Sequence, residues 1–171
     1  YKGTFSEGKP DGFGKITFLN GGTYEGNWLK GKISGSGKAI YANGLIYIGE
    51  FKNSEHHGDG ILVDASNYKY DGNWENGQKT GVAKINYSDN TTYSGTVLNG
   101  LRHGFGRLIF NNGATFEGNW SDDQLNGEGT ITNANGDKYT GNLINGKRSG
   151  IGKQLYAGGS VYDGEFLNNQ R

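Results

Sequence analysis

The sequence predicts an all-β fold, a single-layer antiparallel β-meander solenoid of 23-residue hairpin repeats. Glycine falls two positions after each repeat's opening aromatic residue, and nearly all of the 33 glycines occupy five fixed columns of the repeat. A fixed period of this length is typical of stacked repeat architectures. Glycine this frequent disfavours helices. The opening residues are Tyr1, Tyr24, Tyr47, Tyr70, Tyr93, Phe116, Tyr139 and Tyr162.

Each repeat is predicted to contribute two strands, and residues are numbered here by their offset from the opening aromatic residue at offset 0. Offsets 0 to 5 form the first strand, as in YEGNWL at 24–29. Offsets 12 to 17 form the second, as in SGKAIY at 36–41, after a loop such as KGKISG at 30–35. Asn-Gly turns such as ANGL at 42–45 then lead to the next repeat. About 15 strands are expected.

Side-chain alternation along the strands predicts two different faces. A register that pairs offset 2 with offset 13 sets glycine opposite glycine, and the aromatic ring at offset 0 then covers the gap. Because a single layer leaves the rings uncovered, we expect a row of half-exposed aromatic side chains, a type of surface that binding sites use. The opposite face should carry surface ion pairs between offsets 1 and 14, Glu25 with Lys38 and Asp71 with Lys84.

The repeats form one continuous array over residues 1–171, and we expect the chain to be a fragment of a longer protein. Seven full repeats start at 1, 24, 47, 70, 93, 116 and 139, and a partial eighth starts at 162. Lysine plus arginine number 17 and aspartate plus glutamate number 17, so the net charge is zero. This balance disfavours nucleic-acid partners. The absence of cysteine leaves no thiol-based metal site.

The pattern in YEGNWLKGKISGSG at 24–37 resembles the MORN repeat (membrane occupation and recognition nexus), and the resemblance extends over the whole chain. It implies an elongated, twisted antiparallel sheet with an aromatic-lined groove. Members of this family act as scaffolds, as peptide-binding modules and as regulatory segments attached to enzymes. The departures from the pattern predict local irregularity or specialised contacts in repeats 3 and 6. They are Ser54, Asp64, Asn67, Ala83, Asn90, Asp123 and Asn133.

The sequence offers no constellation of a nucleophile with a base, so we expect no enzymatic activity, no cofactor and no metal. His57 and His103 both lie at offset 10, which is interpreted as a turn position. Asp122 and Asp123 are interpreted as solvated loop residues. The glycine-rich stretches precede strands rather than helices, so they lack the helix N-terminus with which phosphate-binding loops hold their ligand.

Three functional hypotheses follow, all for an intracellular protein associated with the cytoskeleton or with membranes. The first is a scaffold that binds a partner peptide or helix along a groove of Tyr24, Trp28, Tyr47, Phe51, Tyr70, Trp74, Tyr93, Phe116, Trp120 and Tyr139. The second is a phosphoinositide-binding module that uses two sets of basic residues. One is the basic column Lys15, Lys38, Lys84, Arg107 and Lys153, and the other consists of loop residues such as Lys9, Lys32, Arg102, Lys147 and Arg148. The third is a regulatory segment of an enzyme whose catalytic domain lies elsewhere.

The last strand suggests a possible homodimer. Residues 162–167 form a first strand whose hairpin partner would lie beyond the chain, and an open edge recruits strands from other chains. We therefore expect self-association at the C-terminal edge. The residues near the seam would be Tyr162, Phe166 and Leu167.

Overall fold

A computed structural model describes residues 1–171 and confirms the all-β prediction. Fifteen antiparallel strands form one sheet in which neighbours follow sequence order. The chain divides into two compact units, residues 1–81 and 82–171. No helix in it could span a membrane. The strands are β1 Lys2–Ser6, β2 Lys9–Thr17, β3 Thr23–Leu29, β4 Lys32–Ile40, β5 Ile46–Lys52, β6 Glu55–Val63, β7 Lys69–Glu75, β8 Gln78–Asn86, β9 Thr92–Leu98, β10 Leu101–Ile109, β11 Thr115–Ser121, β12 Gln124–Thr132, β13 Lys138–Ile144, β14 Lys147–Leu155 and β15 Val161–Phe166.

The hairpin register follows the predicted pairing of glycine with glycine. In the first unit Gly26 pairs with Gly37, which places Tyr24 opposite Ala39. The second unit repeats the arrangement where Gly141 pairs with Gly152. The register is set by side-chain volume, because only a pair of glycines leaves room for an aromatic ring directly above two neighbouring strands.

The second strand of each repeat begins about four residues earlier than predicted, so the segment interpreted as a loop is mostly strand. β4 already starts at Lys32. A β-bulge at offset 11 allows this, since the pairing of β3 with β4 shifts between Gly26 and Trp28. Gly35 there has a φ of 80°, in the left-handed region that favours glycine. Because the bulge accommodates one extra residue, strand pairing continues through a glycine-containing segment whose sequence is typical of a loop.

The aromatic rings are buried, which corrects the expectation that they are half exposed. Tyr24, Tyr47, Tyr70 and Tyr93 are fully buried, and the three tryptophans are at most 8% exposed. Each tyrosine ring lies on its glycine pair, so that a Cβ built on Gly60 would collide with the ring of Tyr47. The rings also meet edge to face, as Tyr24 does with Phe51 at a centroid distance of 5.2 Å. Together they form the core of the sheet's inner face, defined here as the face that carries offsets 0 and 4.

Hydrogen bonds hold each ring in place. The tyrosine hydroxyl donates to the carbonyl three residues later, as from Tyr24 to Asn27 at 3.0 Å and from Tyr139 to Asn142 at 2.7 Å. The tryptophan indole donates to a glycine carbonyl of the preceding repeat, as from Trp120 to Gly106 at 3.0 Å. Every such polar atom is therefore satisfied within the core, where an unpaired group would cost stability.

A second set of hydrogen bonds joins consecutive repeats at their loops. The backbone N–H at offset 7 donates to the carbonyl at offset 9 of the preceding repeat, as Gly31 does to Pro10 at 2.8 Å. Ser54 and Asp123 replace the usual glycine at offset 7 and keep a positive φ, at 71° and 67°. Their side chains add a bond in compensation: the Ser54 hydroxyl accepts the backbone N–H of Ile33 at 3.1 Å.

The third repeat departs from the others at its turn. Asp64 stands where an aromatic residue is usual, and its carboxylate accepts the backbone N–H of Ser66 at 2.8 Å and of Tyr68 at 3.1 Å. Asn67 adopts a φ of 68° in place of glycine. The turn is therefore closed by a side chain, and Tyr68 supplies the ring that offset 17 lacks.

The sixth repeat is irregular because its opening ring is a phenylalanine. Phe116 has no hydroxyl to donate to the carbonyl at offset 3, and its ring does not lie on Gly118 and Gly129. It packs instead edge to face on Phe110 at 5.0 Å and is only half-buried. Leu143 takes part of the space above Gly129. The one opening ring without a hydroxyl in the full repeats is thus also the one that leaves its glycine pair.

The surface ion pairs differ from the prediction. Glu25 lies between Lys15 and Lys38 in the register, and it pairs with Lys15 at 3.1 Å rather than with Lys38. Asp71 pairs along its own strand with Lys69 at 3.0 Å. A carboxylate with two basic neighbours can pair with either, and exposed pairs contribute only about 0 to 1 kcal/mol.

Replacing Gly60 by alanine should destabilise the chain by about 1–3 kcal/mol, because the new methyl group would overlap the buried Tyr47 ring. Chemical denaturation followed by tryptophan fluorescence measures the free energy of unfolding. Gly158→Ala is the matched control, since a Cβ there meets nothing within 4 Å. Equal stability of Gly60→Ala and the wild type would contradict the role given to the glycine pair.

Replacing Phe116 by tyrosine should stabilise the chain by about 1 kcal/mol, the usual net contribution of a hydrogen bond. The added hydroxyl restores the donor that anchors the other rings, with the Asn119 carbonyl as acceptor. The same denaturation experiment applies, with Phe105→Tyr as a control that adds a hydroxyl at an exposed position outside the ring row. An unchanged or lower stability of Phe116→Tyr would show that the hydroxyl does not position the ring.

Candidate functional site

The inner face has a buried floor and raised borders. The floor consists of the rings at offsets 0 and 4, which are buried except for the exposed Tyr1 and Phe5 and the half-buried Phe116 and Tyr162. The aromatic side chains at offset 17 rise beside it: Phe18 is 41% exposed and Tyr41 is 39% exposed. A ligand on this face therefore meets the offset 17 rings before it meets the floor.

The first unit holds an apolar cavity of about 510 Å³ between two of these rings. Phe18 and Tyr41 line its sides, Ile33 lines another wall, and Tyr24 and Trp28 lie at its base. The cavity lies above Ala39. Alanine leaves more space there than the leucine or isoleucine that offset 15 carries in most other repeats. A small side chain in one repeat thus leaves an apolar space whose volume falls in the range of ligand pockets.

The bulge brings a further column of side chains onto the inner face, and the sequence analysis missed it. Offset 9 pairs with offset 4, as Ile33 does with Trp28. Offset 9 was predicted to lie in the loop between the two strands, because the predicted strands did not include the bulge. In several repeats its side chain lies on the rings, and the guanidinium of Arg102 is 4.2 Å from the ring centre of Trp120. The column is identified by counting two positions back from the bulge glycine, where four of the seven full repeats carry a polar side chain: His56, Lys79, Arg102 and Arg148.

His56 and Lys79 of this column lie close together in the first unit. The His56 imidazole stacks on the Tyr47 ring at 3.7 Å and shares a hydrogen bond of 2.6 Å with the Tyr41 hydroxyl. Burial, and then the charge of Lys79, lower the pKa of His56 to about 4, so it is neutral at pH 7. Lys79 donates to the Tyr68 hydroxyl at 2.8 Å, and burial lowers its pKa.

The predicted groove residues therefore form the floor rather than the accessible surface. Burial raises the pKa of the Tyr24 and Tyr93 hydroxyls to about 12, as expected for groups withdrawn from water. Phe116 differs, because its displaced ring lines a cavity in the second unit. The floor set with buried side chains is Tyr24, Trp28, Tyr47, Phe51, Tyr70, Trp74, Tyr93, Trp120 and Tyr139.

The basic column at offset 14 lies on the outer face and is exposed. Lys15 pairs with Glu25, and the Arg107 guanidinium lies 3.6 Å from the Glu117 carboxylate. Lys153 stands opposite Asp163 in the register. Carboxylates at offset 1 therefore lie beside the basic side chains of offset 14, in agreement with the predicted surface ion pairs between these two offsets.

The proposed dimer edge is only partly accessible. Phe166 is 3% exposed and packs on Tyr139 at 5.1 Å, whereas Leu167 is 71% exposed. Leu167 and Gln170 exchange backbone hydrogen bonds and so close a turn after β15. Self-association at this edge stays a prediction.

The histidine interpretation needs one correction, since His57 and His103 lie in strands β6 and β10 rather than in turns. Offset 10 falls next to the bulge, which is why it resembles a turn in the sequence. The Nδ1 atoms of both side chains are buried without a hydrogen-bond partner. Asp122 and Asp123 do lie in the connection between β11 and β12, both with positive φ.

Two solved structures share this fold. The TCP domain of Drosophila melanogaster SAS-4 (dCPAP), solved in complex with a proline-rich motif of Ana2 (dSTIL), is 16% identical, with a TM-score of 0.50; the match covers 88% of this chain and 76% of that one. The wild-type TCP10 domain of Danio rerio CPAP is 14% identical, with a TM-score of 0.52; the match covers 89% and 72%. At these identities the likeness shows the fold alone. No curated protein matches the sequence.

The MORN repeat matches the sequence along the whole chain, in consecutive segments whose boundaries follow the 23-residue period. The matched residues are 1–23, 24–46, 47–67, 70–92, 93–115, 116–138, 139–161 and 162–171. The chain belongs to the MORN-repeat family.

Proposed function

We propose that the chain is a non-enzymatic interaction module that binds an extended peptide of a partner protein on its inner face. The observation that carries the proposal is the apolar cavity of about 510 Å³ in the first unit. Its walls are half-exposed aromatic side chains. Aromatic-lined grooves bind extended, proline-containing segments, which lose little conformational entropy on binding.

The accessible residues of this site differ from the buried row that the sequence first suggested. A peptide side chain would enter between Phe18 and Tyr41 and lie above Ala39, with Ile33 beside it. The floor rings shape the cavity from below and keep it rigid, because Tyr24 is anchored by its own hydrogen bond. The complex of the similarly folded SAS-4 domain with a proline-rich motif supports a peptide as the occupant.

The two alternatives receive less support. A phosphoinositide site at offset 14 would have to release Lys15 and Arg107 from Glu25 and Glu117. A regulatory role beside a catalytic domain is compatible with peptide binding, because the bound peptide would then be a segment of the catalytic domain. We favour a scaffold in a cytoskeletal or membrane-associated assembly, the role that the family resemblance implies.

Replacing Ala39 by leucine should weaken peptide binding about tenfold or more. The larger side chain occupies the cavity, and losing the burial of one apolar side chain costs roughly 1.5 kcal/mol. Leucine or isoleucine stands at offset 15 in most other repeats, so the variant should fold normally. Peptides are first selected from a displayed random dodecapeptide library on the wild-type chain, and their dissociation constants are then measured by fluorescence anisotropy.

Ser36→Leu is the matched control, since it adds the same side chain to the same strand at an exposed position. It should leave the affinity unchanged. Tyr41→Ala removes a wall of the cavity and should weaken binding as Ala39→Leu does. Selection of no peptide, or equal affinity of the wild type and Ala39→Leu, would refute the proposed site.

A further inference from the structure

Arg148, at offset 9 in the second unit, is held in a fixed position by three kinds of contact. Its guanidinium donates to the Gln154 side-chain oxygen at 2.8 Å and to the Asn169 carbonyl at 2.9 Å. It also lies over the rings of Phe166 and Tyr139, at 5.3 and 5.9 Å from their centres. These contacts orient the side chain before any ligand arrives.

Gln154 is unusual in its column. Offset 15 is apolar in every other repeat, yet Gln154 is 2% exposed, so a polar side chain is buried there. Its oxygen accepts from Arg148, and its nitrogen donates to the Leu155 carbonyl at 3.2 Å. A buried amide in an apolar column costs stability unless it is bonded, and here its bond orients the guanidinium.

Arg102 provides an internal comparison, because it occupies the same offset two repeats earlier. The Oδ1 atom of Asp123 accepts the backbone N–H of Arg102 at 2.9 Å, just as Oδ1 of Asn169 accepts that of Arg148 at 2.9 Å. The difference is charge: Asp123 also accepts the Arg102 Nε–H at 2.8 Å as an ion pair. Asn169 is neutral, so Arg148 has the same backbone hydrogen bond but no carboxylate to pair with its guanidinium.

The open side of Arg148 faces a cavity of about 300 Å³. Arg148 is the only charged side chain among its lining residues, and Phe116, Ile131 and Tyr139 provide apolar walls. Two of the five guanidinium N–H groups are used by Gln154 and Asn169. The other three N–H groups donate no hydrogen bond within the chain, and no carboxylate pairs with the charge, which is the chemistry that suits a ligand with a compact negative group.

Other charges near Arg148 do not neutralise it. An adjoining cavity of about 480 Å³ is lined by Asp137 and Arg171 as well as by Arg148. The two carboxylate oxygens of Asp137 accept from the Ala157 backbone N–H at 2.8 Å and from the Asn135 side chain at 3.1 Å. Arg171 lies over the rings of Tyr156 and Tyr162. The two neutral donors leave the Asp137 carboxylate charged, but it makes no ion pair with Arg148, and with Arg171 on the same cavity the three side chains keep a net positive charge.

We propose that Arg148 is a receptor for the carboxylate of an acidic side chain in a bound peptide. A preorganised guanidinium can form paired, charge-assisted hydrogen bonds with a carboxylate, and the apolar walls can take the flanking side chains. The inference rests on the proposed peptide-binding function for its class of ligand. It uses residues of the second unit only, so it is tested separately from the cavity above Ala39.

The test is a titration followed by NMR at the Arg148 Nε–H and the Asn169 backbone amide. The probe is a terminally blocked hexapeptide with one glutamate flanked by leucine and proline, compared with its glutamine counterpart up to millimolar concentrations. We expect saturable shifts with the glutamate peptide and an affinity about tenfold weaker for the glutamine peptide, as for a lost charge-assisted hydrogen bond. Equal affinities, or no saturable shift, would overturn the proposal.

Two variants sharpen the test. Asn169→Asp reproduces the internal ion pair of Arg102 with Asp123 and should remove the preference for glutamate while the chain stays folded. Arg148→Gln should remove it as well. Lys147→Gln, which deletes an exposed neighbouring cation, is the control and should keep the preference. Persistence of the preference in both Asn169→Asp and Arg148→Gln would assign it to another site.

The same titration on Ala39→Leu separates this proposal from the proposed function. If the preference for glutamate survives in Ala39→Leu, the Arg148 receptor stands independently of the cavity in the first unit. If peptide selection fails at that cavity but the Arg148 shifts remain saturable, the first site is refuted and the second is supported.

Discussion

The contact between a tyrosine ring and a pair of glycines is the constraint on which the rest of the structure depends. A single-layer sheet has no second layer to bury its side chains, so each ring must be covered by its neighbours and by the bare backbone below it. That requires glycine at both positions beneath the ring, as at Gly49 and Gly60 under Tyr47. It also requires a partner for the hydroxyl, which the carbonyl three residues later supplies. The fixed 23-residue period follows, since each requirement recurs once per repeat.

This constraint also decides where function can lie. Rings that are fully buried to stabilise the sheet are poorly placed to contact a partner, so in the proposed function the partner contacts the side chains above them. Those side chains vary from repeat to repeat: Ala39 leaves an apolar cavity, His56 and Lys79 form a polar cluster, and Arg148 holds an uncompensated charge. In the proposed function, the recurring rings of the floor would therefore carry stability and the variable side chains above them would carry specificity.

The sequence was sufficient for the fold because its strongest signals, the glycine columns and the aromatic spacing, are the residues that set the register. The pairing of Gly26 with Gly37 could be read from alternation alone. The candidate site could not, because the bulge at offset 11 changes which side chains reach the inner face. Arg102 and Arg148 were therefore interpreted as loop residues, although they lie on the rings. Burial was misjudged for a similar reason, since edge-to-face packing between repeats is not visible in one repeat's sequence.

The ionisation of the buried tyrosines tests the central claim most directly. A hydroxyl held over glycines and withdrawn from water should keep its proton far above the ordinary pKa of 10.0, and the pKa of Tyr24 and of Tyr93 should be about 12. Because the folded-state pKa lies above the unfolded value, each buried neutral hydroxyl contributes to the free energy of unfolding. That contribution is complete below pH 10 and is lost as the pH rises through 12. The measurement is an NMR titration of the tyrosine ring carbons in the folded chain. Ionisation of Tyr24 and Tyr93 near pH 12, together with unfolding, is the predicted result. Ionisation at pH 10 in a chain that stays folded would contradict the account.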